Sequence, residues 1–89
     1  MAVTENKIEN YPNPFNPSTV IRYQLVNSGP VSIKVYDIVG REIMTLVNEE
    51  KQQGRYQVKF DAGNLSSGIY FYRIVATGFT ESKKMILTK

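Results

Sequence analysis

Apolar and polar residues alternate through several short stretches of this 89-residue chain. Tyr56, Val58 and Phe60 interleave with Gln57, Lys59 and Asp61. Val31, Ile33 and Val35 interleave with Ser32, Lys34 and Tyr36, and Ile21, Tyr23 and Leu25 with Arg22 and Gln24. A period of two sends successive side chains to opposite faces, so each stretch predicts a strand with one buried face. Strands are predicted over residues 7–11, 19–25, 31–36, 42–47, 55–61, 68–76 and 80–87. Their even spacing, broken by turn residues, is the pattern of an antiparallel β-sandwich rather than of βα units. No helical period of usable length occurs. Burying alternate side chains at about 1.5–3 kcal/mol each supplies most of the stabilisation.

The connections follow from turn chemistry. Asp37-Ile38-Val39-Gly40 suits a type I turn closed by a glycine at positive φ, joining two strands in a tight hairpin. Asn27-Ser28-Gly29-Pro30 forms a second turn cluster, and Gly78 turns the last hairpin. Residues 48–54 are polar and charged and predict a solvated loop. Residues 61–68 form the longest connection, with room for one helical turn, and are expected to cross between sheets. Near the start, Tyr11-Pro12-Asn13-Pro14-Phe15-Asn16-Pro17-Ser18 holds three of the four prolines. Each proline lacks an N–H and drives its predecessor toward extended backbone. The block therefore reads as a stiff, extended lead-in that marks where the domain begins, with no binding chemistry of its own.

Length and composition suit one small domain: 42% of residues are hydrophobic, ordinary for a folded chain and too many for a disordered one. The net charge of +3 is localised. Cations and carboxylates cancel over residues 1–82, and the excess comes from Lys83, Lys84 and Lys89. A nucleic-acid partner, which calls for a broad basic face, is not expected. The chain has no Cys, His or Trp, which removes disulfides and the common members of transition-metal sites and nucleophile–base pairs. No cofactor is expected. The polar start lacks a signal-peptide core; the chain either stays where it is made or is a fragment whose signal lies upstream.

Individual motifs carry little catalytic promise. Tyr70, behind Gly68 at the head of the sixth strand, is placed to pack inward and return its hydroxyl to nearby backbone, as in Greek-key sandwiches. Tyr70, Phe71 and Tyr72 cannot form one binding platform because neighbours on a strand face opposite ways. Asp37, Asp61 and Asn64 are turn formers rather than a calcium cage, which needs six to eight oxygens. Residues 63–68 lack the Lys of a phosphate loop, and Glu49-Glu50 has no second carboxylate placed for acid–base work. Asn64-Leu65-Ser66 matches a glycosylation sequon that often arises by chance. Asn13-Pro14-Phe15 matches an endocytic tripeptide but abuts a strand. The run Lys83-Lys84-Met85-Ile86-Leu87-Thr88-Lys89 reads either as an edge strand guarded by lysines or as a strand displayed for recognition.

Several blocks together carry a resemblance. They are the series from Tyr11 to Thr19, then Ile21-Arg22-Tyr23, Lys34-Val35-Tyr36-Asp37 through Gly40-Arg41, Leu65 through Tyr70, and Lys84-Met85 with Lys89. In order and spacing they resemble the C-terminal sorting domain of the type IX secretion system, found on secreted proteins of Bacteroidetes and relatives. The resemblance implies an all-β, immunoglobulin-like, Greek-key sandwich of about seven strands. Residues 1–7 would be linker or cloning residues, and residues 8–89 the sorting domain. It implies a non-enzymatic signal read by the outer-membrane translocon, which carries a fused upstream cargo from the periplasm to the cell surface or beyond. A sortase-like peptidase then removes the domain, near or upstream of residues 5–8, and the cargo is anchored at the surface. Recognition falls on Lys83, Lys84, Met85 and Lys89, with Gly68 and Tyr70 beside them. Weak self-association through the terminal edge is a further expectation. Family members often place Trp where Phe60 stands, an aromatic-for-aromatic change. The alternatives are an accessory carbohydrate- or protein-binding module of a secreted enzyme, marked by an exposed same-face aromatic pair, and the immunoglobulin-like domain of a hook-capping protein.

Overall fold

The computed structural model describes residues 3–89 and has seven strands: β1 (Lys7–Tyr11), β2 (Ser18–Leu25), β3 (Gly29–Tyr36), β4 (Glu42–Lys51), β5 (Gly54–Asp61), β6 (Gly68–Ala76) and β7 (Phe79–Leu87). They form two antiparallel sheets, one ordered β1-β2-β5 and the other β4-β3-β6-β7. The chain changes sheet between β2 and β3, between β4 and β5, and between β5 and β6. This is the antiparallel sandwich that the alternation predicted, with the immunoglobulin-like strand order that the resemblance implied. No helix occurs among the described residues.

Register decides which faces meet. Ile21, Tyr23 and Leu25 of β2, Val31, Ile33 and Val35 of β3, Phe60 of β5, Tyr72 and Ile74 of β6, and Met85 and Leu87 of β7 are all buried between the sheets. Tyr23 stacks on Tyr56 with ring centroids 5.4 Å apart. The turn at Asp37 forms as expected: the Gly40 amide donates to the Asp37 carbonyl at 3.0 Å, and Gly40 sits at φ +88°. The Asp37 carboxylate accepts from the Arg41 amide at 2.9 Å and from Arg41 Nε at 2.7 Å. These bonds, with those from the Arg41 backbone foremost, hold its pKa below the usual carboxylate value.

Three expectations change. Residues 48–51 are not loop: β4 runs to Lys51, with Glu49, Glu50 and Lys51 opposite Val31, Pro30 and Gly29. An edge strand needs no apolar alternation at its far end, so polarity alone did not reveal it. Residues 62–67 contain no helical turn, only a reverse turn in which the Leu65 amide donates to the Ala62 carbonyl at 3.0 Å. The residues ahead of β1 also pack on the fold. Val3 is buried, Gln53 Nε2 and Gln24 Nε2 donate to the carbonyls of Val3 and Glu5, and the Val26 amide donates to Asn6 Oδ1.

The proline block is likewise more than a lead-in. Phe15 is 1% exposed and packs on Phe60, centroid to centroid 5.9 Å. Around it, Thr19 Oγ1 donates to the Pro12 carbonyl at 2.8 Å, and Asn10 Nδ2 donates to Thr19 Oγ1 at 3.1 Å. The Tyr72 hydroxyl donates to Asn10 Oδ1 at 3.1 Å, tying the two sheets together. Burial pushes the Tyr72 phenol up to about 12.

Candidate recognition surface

β7 is the outer strand of the larger sheet, yet half of its free edge is closed. The Phe15 amide donates to the Ile86 carbonyl, and the Thr88 amide donates to the Phe15 carbonyl, both at 2.9 Å. These make Phe15 a one-residue parallel strand opposite Leu87. Two residues earlier the same ladder continues through a side chain. The Ile86 amide donates to Asn13 Oδ1 at 3.0 Å, and Asn13 Nδ2 donates to the Lys84 carbonyl at 3.2 Å. A carboxamide presents the same donor and acceptor as a peptide group. Asn13 lies between Pro12 and Pro14, and its side chain supplies the ladder contacts that a strand backbone would make here. The prolines, having no N–H, leave no donor unmet. This tripeptide is therefore turned toward the fold, with Phe15 in the core, rather than displayed as a recognition tag.

The same alternation sorts the recognition residues carried by the resemblance. Since Ile86 points its N–H and C=O at the proline block, Met85 and Leu87 point theirs at β6. Met85 is 0% exposed. Lys84 is exposed on the sheet's outer face opposite Phe71. Lys83 turns the other way and lies 3.9 Å from Glu81. Lys89 Nζ reaches back 2.7 Å to the Gly63 carbonyl in the β5–β6 crossover. Tyr70 is buried, and its hydroxyl donates to the Ser66 carbonyl at 2.6 Å, as the corner reading expected. Gly68 adopts φ +153°, a backbone open chiefly to glycine. The six residues thus separate by role. Lys84 and Lys89 present charge to solvent, Lys83 does so partly, and Met85, Tyr70 and Gly68 shape the strand pair behind them.

Self-association through the terminal edge meets a physical obstacle. The outward-facing Lys84 carbonyl, both backbone groups of Ile86 and the Thr88 amide already have partners. A second copy would have to displace the proline block or use only the stretch near Thr80 and Ser82.

Sequence reasoning missed Asn13 and Phe15. Their contacts join positions 71 and 73 residues apart, and a single aromatic among prolines has no periodicity to betray its burial. Among the described residues there is no cluster of three or more His, Cys, Asp or Glu able to hold a metal ion.

Comparison with solved structures gives the crystal structure of dimeric latent PorU from Porphyromonas gingivalis. It is similar at a TM-score of 0.71 and 22% identity, over 97% of this chain and 10% of that one. That likeness shows the fold, and this chain spans about a tenth of the PorU chain's length. Comparison with curated proteins finds no match. The family model for the secretion system C-terminal sorting domain matches residues 9–88, from within β1 past the end of β7. The chain belongs to the family of secretion-system C-terminal sorting domains.

Proposed function

We propose that this domain is the non-catalytic export signal of a larger cargo fused ahead of it. In this reading the outer-membrane translocon of the type IX system reads the folded domain in the periplasm, and a sortase-like peptidase then cuts it away. The family match across the whole sandwich carries the reading. The surface supports it: Lys84 and Lys89 display charge at the end of a strand held rigid by the core and the proline block. Fixed cations on a rigid edge give orientation and partner choice more than raw affinity.

The docked N-terminal residues sharpen where the cut falls. Ile8 is fully buried in β1, and Val3, Glu5 and Asn6 are hydrogen-bonded to the fold. A peptidase reaches such bonds only after local opening. This packing favours a scissile bond on the N-terminal side of Val3 over one within residues 5–8.

The test fuses the chain behind a periplasm-targeted fluorescent protein in a bacterium with a type IX system. Export is expected, with a marked loss for the pair Lys84→Ala and Lys89→Ala. Truncation of residues 84–89 is a poor test, because Met85 and Leu87 belong to the core. A reporter that stays in the periplasm while an established sorting domain exports it would refute the reading.

One observation favours a second reading. Tyr36 and Phe71 stand opposite each other on the outer face of the larger sheet, the same-face aromatic pair that a carbohydrate-binding module would use. Retention of the domain on polysaccharide would support that reading.

A further inference from the structure

The outer face of the β4-β3-β6-β7 sheet carries a shallow groove of about 320 Å³ lined by Tyr36, Asp37, Ile38, Gly40, Phe71, Arg73 and Ser82. Ile38 is 67% exposed at the β3–β4 turn. Tyr36 and Phe71 are register partners, as are Phe71 with Lys84 and Arg73 with Ser82. An aromatic floor is therefore rimmed by Ile38 and Asp37 at one end and by Arg73 on β6, with Lys84 of β7 the register partner of Phe71 beyond the rim. The volume sits at the bottom of the roughly 300–1,000 Å³ range of small-molecule sites. Its size suits one or two side chains rather than a cofactor.

The charge pattern narrows the occupant. The ion pairs among the described residues are Lys7–Glu9, Lys34–Glu42, Arg41–Asp37, Lys51–Glu49 and Lys83–Glu81. Beside the groove, Lys34 is matched by Glu42 and Asp37 by Arg41, whereas Arg73 and Lys84 belong to none of these pairs. A guanidinium beside an apolar floor suits a carboxylate, which it can bind through two hydrogen bonds. The larger depression on the opposite sheet, about 400 Å³, is lined by Lys7, Glu9, Arg22, Gln24 and Arg55 among others. There Lys7 lies near Glu9 and Arg55 Nε donates to Gln24 Oε1, while Arg22 belongs to none of these pairs.

We propose that the Tyr36–Ile38–Phe71–Arg73 groove is a docking site for a protein segment that inserts an apolar side chain over Phe71 and presents carboxylates to Arg73 and Lys84. This inference rests on the sorting reading, in which that segment belongs to the export machinery. It extends the contact surface from Lys84 across the outer sheet face, away from Lys89. An apolar anchor with a charged rim is the usual arrangement of a compact protein–protein hot spot.

The test uses the full chain fused to the periplasmic reporter, with the variants Arg73→Glu, Ile38→Asp, Arg73→Lys and, on the other sheet, Lys59→Glu. The wild-type fusion is exported; if it is not, the sorting reading itself fails. Arg73→Glu and Ile38→Asp are expected to cut export about tenfold or more, the effect of losing one good contact, with melting temperatures close to wild type. Arg73→Lys retains most export. Lys59→Glu changes net charge equally and exports normally. Excess free wild-type domain in the periplasm competes with the reporter, whereas free Arg73→Glu domain does not. Wild-type export by both groove variants would overturn the proposal, as would equal loss in Lys59→Glu or equal competition by the Arg73→Glu domain. Phe71-dependent retention on polysaccharide, with export untouched by Arg73→Glu, would also overturn it and assign the groove to glycan binding.

Discussion

Replacing Asn13 with Ala removes the carboxamide that extends the Phe15 ladder along β7. Two hydrogen bonds to the strand go with it, from the Ile86 amide at 3.0 Å and to the Lys84 carbonyl at 3.2 Å. Both are solvent-accessible, so water replaces part of what is lost. At about 0.5–1.5 kcal/mol net per bond, the variant loses roughly 1–3 kcal/mol. A domain of this size shifts about 4–8 °C in melting temperature per kcal/mol, which predicts a drop of roughly 4–24 °C. Thermal unfolding followed by circular dichroism measures that drop. Hydrogen exchange reports the local event. The Ile86 amide should lose protection, the Thr88 amide should keep much of its own through the Phe15 carbonyl, and the β7 amides facing β6 should fall only with global stability. An Ile86 amide as well protected in Asn13→Ala as in wild type would refute the reasoning that this side chain completes the edge.

Further outcomes follow from the same contacts. Phe15→Ala empties a site packed on Phe60 and is expected to cost about 3–5 kcal/mol by denaturant unfolding; a cost below 1 kcal/mol would place Phe15 outside the core. Above pH 10 an unfolded tyrosine releases its proton while folded Tyr72 holds it to about pH 12. The unfolded state then binds fewer protons, and stability falls by about 2–3 kcal/mol between those values. Urea unfolding at pH 9 and pH 11.5 should show about 2 kcal/mol of that loss, and Tyr72→Phe should lessen it. Gly40→Ala meets open space but φ +88°, so a purely backbone cost of about 1–2 kcal/mol is expected; an unchanged melting temperature would count against that turn.

Much of this fold was legible because alternation does two jobs, giving the strand and its buried face. β1 and β6 have the bounds that alternation and flanking turns suggested. Tyr70 could be placed at its corner because a glycine and a crossover precede it. Alternation also holds the division of the terminal residues: Met85 and Leu87 are apolar and two apart, so Lys84 and Ile86, in the opposite phase, must face outward. What escaped detection depends on contacts without a local signature. The far half of β4 pairs on one side only, so its Glu49-Glu50-Lys51 run resembles loop. The burial of Phe15 and the ladder role of Asn13 arise from the opposite end of the chain. The outer groove joins a turn residue, Ile38, to strand residues that face one way only after two sheets have formed.

Carriage of cargo through the type IX system is the role proposed for this sandwich. Its most direct measurement is the fraction of periplasm-targeted reporter, fused to the full chain, that reaches the cell surface or medium in two isogenic strains. One strain has a working type IX translocon and the other lacks it. Most of the reporter is expected to leave the first strain and nearly all of it to stay in the periplasm of the second. Equal distributions in the two strains would contradict it.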